Sequence, residues 1–127
     1  MFKNTPAFSG FSVNNLTEAK KFYADILGVE VEERGAMGIT LKLHNGYPVF
    51  VYPKADHVPA TYTNLNFVVE NIDQAVDELV AKGITLEHYP NMTDEKGIAR
   101  GINVNMGPDI AWFKDPAGNI LSVLQDK

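Results

Sequence analysis

Three histidines, His44, His57 and His88, are the side chains best suited to proton transfer or metal ligation in this 127-residue sequence, and no cysteine accompanies them. A short histidine metal motif needs its partners at a fixed close spacing, such as one helical turn, and these three match none. Each therefore reads as a surface or half-buried imidazole. Without cysteine there is no thiolate nucleophile, no disulfide and no Cys-based zinc or iron–sulfur site, which fits a reducing compartment. Ser9, Ser12 and Ser122 lack the strand-to-helix elbow that would expose a catalytic hydroxyl. What remains is binding chemistry. Trp112, the sole tryptophan, alternates with Phe113 and either fills the core or forms a stacking platform. Asn64 and Asn66 alternate with Leu65 and Phe67, so two amides share a strand face. Amides are costly in a core, and a polar floor under an aromatic pocket suits them better. Arg100, in the charged stretch Asp94 to Arg100, is a candidate anchor for an anionic ligand.

The composition bounds what such a pocket belongs to. With 45% apolar and 21% charged residues, the chain is one soluble domain or two very small modules sharing a core. A net charge of -5 leaves electrostatic nucleic-acid binding little to start from. The segment Met1 to Pro6 has no apolar run after its basic residue, and no stretch approaches the ~18 apolar residues of a membrane span, so a cytoplasmic protein is expected.

An internal repeat organises the chain. Phe11-Ser12-Val13-Asn14-Asn15-Leu16-Thr17-Glu18-Ala19 lies over Phe67-Val68-Val69-Glu70-Asn71-Ile72-Asp73-Gln74-Ala75 at one offset, and Gly28 to Glu32 lies over Gly83 to Glu87 after a single gap. Asn15 with Glu18, and Asn71 with Gln74, have the capping-box spacing of helix starts. Leu16, Ala19, Phe22, Tyr23, Ile26 and Leu27 then recur at a helical period, as do Ile72, Ala75, Val76, Leu79 and Val80. Gly28 and Gly83 stop the two helices. Strands are expected at 7–13, 29–34, 39–44 and 47–52, and again at 62–69, 85–89, 109–114 and 120–125, with 90–108 irregular. Asp115 to Asn119 forms the tight turn of the last pair. The expectation is an α+β fold of two βαβββ modules, about 7–53 and 62–127, joined by a linker at about 53–61.

Asn45-Gly46 is a two-residue hairpin signal. It would pair His44 with Tyr47, Leu43 with Pro48, Leu41 with Phe50 and Ile39 with Tyr52. Leu43, Leu41, Ile39, Pro48, Phe50 and Tyr52 would then share an apolar, aromatic face suited to a core or an organic-ligand pocket. Lys42, Thr40 and His44 would lie with Val49 and Val51 on the other. Glu30, Glu32 and Glu33 read as the outer face of a strand.

Phe11 to Gly28, with Phe22-Tyr23 ahead of Leu27-Gly28, and the closing run Ala111 to Leu121 resemble the vicinal oxygen chelate superfamily. That superfamily includes glyoxalase I, extradiol dioxygenases, fosfomycin-resistance enzymes and bleomycin-resistance proteins. The resemblance spans nearly the whole chain and implies paired βαβββ modules with a concave sheet groove. It says less about activity, because this scaffold hosts isomerases, dioxygenases, transferases and pure binders.

The superfamily's enzymes hold one divalent metal through His, Gln or Glu on the first and last strands of each module. Carried onto this sequence, those positions fall on Phe8, Asn64, Ser122 and Phe50, with Tyr52 as the shifted alternative to Phe50. None is a histidine or carboxylate, and a divalent ion needs such ligands to offset its desolvation. No metal and no cofactor are expected, and no catalytic residue can be named. The departure resembles the bleomycin-resistance type, which implies a metal-free binder of a small organic ligand, acting as a homodimer, with a pocket of Phe8, Phe50, Tyr52, Asn64, Asn66, Arg100, Trp112 and Ser122. Two alternatives stand beside it: a metal-dependent lyase, isomerase or dioxygenase with unusual ligands, and a protein-interaction module on the same fold.

Overall fold

A computed structural model describes residues 1–44 and 46–127. Two compact units emerge, Met1–Pro59 and Ala60–Lys127. In the first, β1 (Ser9–Val13) leads into α1 (Leu16–Lys20), followed by β2 (Glu30–Glu33), β3 (Ile39–Lys42) and β4 (Pro48–Pro53). The second repeats the order as β5 (Thr63–Val68), α2 (Ile72–Ala81), β6 (Ile98–Ala99), β7 (Asp109–Lys114) and β8 (Ile120–Gln125). The spatial orders β1-β4-β3-β2 and β5-β8-β7-β6 are the same arrangement, with the first and last strands of each unit parallel neighbours. The repeat in the sequence is thus a repeat of topology, two βαβββ modules. Among the described residues no helix is long and apolar enough to cross a membrane.

The helix signals act as their chemistry dictates. The Asn15 side chain accepts from the Glu18 amide, and the Asn71 side chain from the Gln74 amide, each at 3.0 Å. Gly28 and Gly83 follow the two helices at φ +72° and +85°, where side-chain-bearing residues are strained. Between α1 and Gly28 the chain widens into a π-helical turn over Lys21–Ile26. A wider turn separates successive side chains by a smaller angle, so the adjacent Phe22 and Tyr23 can both be buried. Tyr23 meets Phe22 edge-on at 5.2 Å and Phe11 at 6.1 Å, sealing the helix onto its sheet. On α2 the buried residues are Ile72, Val76 and Leu79, while Val80, expected on the same stripe, turns outward.

Two expectations about the strands are corrected. The segment 85–89 forms no strand; a backbone bond from the Glu87 amide to the Trp112 carbonyl, 2.8 Å long, ties it to β7. The outer neighbour of β7, on the side away from β8, is instead the two-residue strand β6, whose Ile98 is fully buried. The β3–β4 register also differs by one residue, with Leu41 opposite Val49, Ile39 opposite Val51 and Thr40 opposite Phe50. Asn45, on which the expected turn rests, lies outside the described residues. A one-residue slip exchanges the faces of one strand relative to its neighbour. Val49 and Val51 therefore join Ile39 and Leu41 in the core, and Phe50 and Tyr52 share the open face with Thr40 and Lys42. The two valines are spent in the core, and the two rings are left where a ligand could reach them.

Candidate functional site

Cross-strand pairing determines which side chains meet on the open face of the second unit. Trp112 on β7 lies opposite Ser122 on β8, and Ser122 opposite Asn66 on β5. The buried Ser122 hydroxyl donates to Asn66 Oδ1, so the middle of this face carries a short polar pair. Trp112 is half-buried, whereas its neighbour Phe113 is wholly inside on the opposite face. Of the two roles open to the tryptophan, the fold gives it the open face.

The indole is held in place. Its Nε1–H donates to Thr63 Oγ1 at 3.1 Å, and the Tyr89 ring meets it nearly at right angles, 77° between planes with centroids 5.5 Å apart. Tyr89 is fixed by its own turn. Its amide donates to Thr93 Oγ1, and its carbonyl accepts from the Met92 and Thr93 amides. Together Thr61, Tyr62, Thr63, Tyr89, Met92, Trp112 and Ile120 line a groove of ≈ 300 Å³ without one charged side chain. Such a wall of rings and hydroxyls suits a small organic molecule.

Asn64 behaves differently from its expected partner. The β5–β8 register shifts between Thr63 and Leu65, making Asn64 an extra residue relative to β8. A bulge breaks the two-residue alternation that would put Asn64 and Asn66 on one face. The Asn64 Oδ1 is buried with no hydrogen-bond partner among the described residues. Arg100 also departs from expectation. Its guanidinium donates to both oxygens of Asp73 at 2.8 and 2.9 Å and to Asp94 at 3.0 Å, with Asp109 3.8 Å away. So many carboxylates leave it little capacity to anchor an anion.

The Arg100 cluster is a structural clamp. Asp73 stands in the first turn of α2 and Asp94 in the loop before β6, so the arginine fastens loop to helix. Hydrogen bonds from Arg100 and then Lys96 hold the Asp73 carboxyl well below the usual carboxylate range. A depressed acid stabilises the fold above its unfolded pKa, and the contribution is lost as pH falls through the folded one. Below about pH 4 the chain should therefore lose stability faster than its Asp73→Asn variant does. Because Asp73 is nearly half exposed, the differential should be at most about 1 kcal/mol. Urea denaturation between pH 2 and 6, followed by Trp112 fluorescence, measures it; parallel acid limbs in the two proteins would refute the clamp.

In the first unit the open face holds Phe50 and Tyr52, stacked at 5.9 Å with 18° between rings. Gly10 and Ser12 on β1 pair with them. Phe8 lies just before β1 and is 67% exposed. Ser12 Oγ is 2.6 Å from His57 Nδ1, a pairing across 45 residues that no local motif announces. It forms because the Lys54 amide bonds the Val13 carbonyl and the His57 amide closes a turn onto the Lys54 carbonyl. At the far side of this face, Glu30, Glu32, Arg34 and Lys42 form two ion pairs beside His44. His88 lines a separate groove with Val76, Asp77 and Glu95.

A divalent ion of the kind the resemblance implies can be tested against these donors. Phe8 and Phe50 in the first unit offer no ligand atom, and in the second Asn64 and Ser122 offer only a neutral amide and a hydroxyl already engaged. Among the described residues no group of three His, Asp or Glu side chains is placed to hold a metal ion. The donor set does not fit a catalytic metal. Of the groove residues the sequence reading names only Trp112; it places Thr63 and Ile120 in strands without assigning them to a pocket and misses Thr61, Tyr62, Tyr89 and Met92, which sit at a strand margin or in irregular chain. For the last three the one signal is aromatic and thioether character in otherwise polar loops.

The sequence profile of the Glyoxalase/Bleomycin resistance protein/Dioxygenase superfamily matches residues 9–123. No curated protein matches the chain. Among solved structures, a glyoxalase family protein from Bacillus anthracis is similar with a TM-score of 0.71 and 21% identity over 100% of both chains. A lactoylglutathione lyase from Agrobacterium tumefaciens gives 0.67 at 18% identity, covering 97% of this chain and 95% of its own. For a fosfomycin resistance protein from Listeria monocytogenes the values are 0.70 and 13%, over 98% and 94%. At such identities the likeness is one of fold.

Proposed function

This chain belongs to the Glyoxalase/Bleomycin resistance protein/Dioxygenase superfamily, and we propose that within it the protein is a metal-free small-molecule binder of the resistance or sequestration type. One observation carries the reading: an uncharged groove whose tryptophan stands half-buried on the open face, hydrogen-bonded to Thr63 and cornered by Tyr89, instead of being spent in the core. A ring fixed this way costs little entropy on binding and presents a large apolar surface. The donor chemistry at Phe8, Phe50, Asn64 and Ser122 supports the same reading, since it favours contact with an organic molecule over coordination. A homodimer in the cytoplasm belongs to this proposal.

The test is a pair of titrations on chelator-stripped protein. Calorimetry with nickel, zinc, manganese and anaerobic ferrous iron should show no stoichiometric ion. A screen of aromatic and amphipathic compounds read by Trp112 fluorescence should find saturable binding without turnover, on a species of twice the chain mass by light scattering. One tight ion per chain would instead point to a lyase or dioxygenase using ligands outside the expected positions.

A further inference from the structure

The chemistry of the Trp112 groove narrows its ligand further. Three aromatic side chains, Tyr62, Tyr89 and Trp112, line it together with the soft thioether of Met92. Tyr89 and Trp112 meet edge to face, with 77° between their planes. An aromatic face carries the negative lobe of its quadrupole, and a cation seated on one is attracted to it.

Hydrogen-bonding capacity separates the possible ligands. An anion would find only neutral hydroxyl donors here, because the indole N–H is committed to Thr63 and no cationic side chain lines the groove. Lys114, which shares the face of Trp112, is paired with Glu87 at 3.3 Å. A primary ammonium would exchange its full hydration for neutral hydroxyls, one of which already accepts from the indole, with no carboxylate in the lining to offset the desolvation. A fully alkylated ammonium needs neither donors nor acceptors: it brings charge without N–H groups to satisfy, and its methyl groups pack against rings and sulfur. The chain's net charge of -5 favours the approach of a cation.

Resting on the binder reading above, the geometry assigns this groove to a ligand with a quaternary ammonium head, seated against Trp112 and Tyr89. A volume of ≈ 300 Å³ takes such a head with a short substituent.

The full chain is titrated with choline and with 3,3-dimethylbutan-1-ol, its neutral isostere with carbon in place of nitrogen, at constant ionic strength and with Trp112 fluorescence as the signal. Choline should saturate, and the isostere and ethanolamine should each bind at least about tenfold more weakly. Tyr89→Leu, which keeps the reporter, should weaken choline binding at least about tenfold, and Tyr89→Phe, which keeps the ring face, should restore most of it. Thermal melts of both variants identify any loss that comes from unfolding. Should Tyr89→Leu unfold, the choline-to-isostere ratio in the unmodified chain decides. Equal binding of choline and its isostere overturns the assignment, as does a folded Tyr89→Leu that binds choline normally. If neutral aromatic compounds bind and choline does not, the ammonium head falls and the binder reading stands; if nothing in either series binds, both fall.

Discussion

Replacing Asp115 with alanine should destabilise the unit Ala60–Lys127 by about 3 kcal/mol. The Asp115 carboxylate is buried at the turn between β7 and β8. One oxygen accepts from the Ala117 and Asn119 amides, both at 2.9 Å, and the other accepts from Asn119 Nδ2 at 2.9 Å. Asn119 is buried as well. Alanine would take the charged acceptor away from three donors, two of them in that buried residue, and hydrogen bonds to a charged group contribute about 1.5–3 kcal/mol each. The reverse-turn bonds, Asp115 amide to Asn119 carbonyl and Gly118 amide to Asp115 carbonyl, each 3.0 Å, remain and moderate the loss. Urea denaturation read by Trp112, which lies in this unit, should show a midpoint lower by roughly 2 M. Asp115→Asn should fall between the two, because one amide oxygen can still accept while its NH₂ group opposes that of Asn119. A loss under about 1 kcal/mol for the alanine variant would show that the backbone bonds alone hold the turn. The consequence reaches the groove, since Trp112 and Ile120 stand on the two strands this turn joins.

That turn was also among the most legible parts of the sequence, and the reason is physical. Asp115 to Asn119, the Asn15 and Asn71 caps and the glycines after each helix all act within a few residues of themselves, so their chemistry can be read without knowing the rest of the chain. Two strands on either side of such a turn, β7 and β8, came out at their expected bounds. Long-range decisions were less accessible. Alternation groups Phe50 with Tyr52 and Val49 with Val51, but which group meets the core depends on how β4 registers against β3, a tertiary choice. The β-prone residues at 85–89 were displaced from the sheet by Ile98, whose two-residue strand is too short for any pattern to reveal. Arg100 looked like a free anchor because its carboxylates Asp73, Asp94 and Asp109 lie on separate elements that only the fold assembles. At the site, Trp112 and Ser122 were legible as strand residues, whereas Tyr89 and Met92 depended on a loop held by side-chain bonds of Thr93.

The first unit has its own point of greatest sensitivity. Gly38 precedes β3 at φ +145°, and a Cβ there would lie 2.3 Å from the Val51 carbonyl oxygen, with Tyr52 Cα and Phe50 Cζ each 3.1 Å away. Two of those three neighbours are backbone atoms of β4 and cannot rotate aside. Gly38→Ala therefore combines a forbidden dihedral with a collision between paired strands, each costing about 1–3 kcal/mol, for a total of roughly 3–5 kcal/mol. Gly35→Ala supplies the comparison, because Gly35 is also left-handed at φ +61° but has open space where its Cβ would be. Only the conformational cost remains there, about 1 kcal/mol. Urea melts followed by far-UV circular dichroism, with amide hydrogen exchange to localise the change to β3 and β4, should therefore separate the two variants by at least about 2 kcal/mol. Equal destabilisation would mean that β4 gives way around a methyl group, and that the close approach of Gly38 to the strand carrying Phe50 and Tyr52 is not what fixes those rings on the open face.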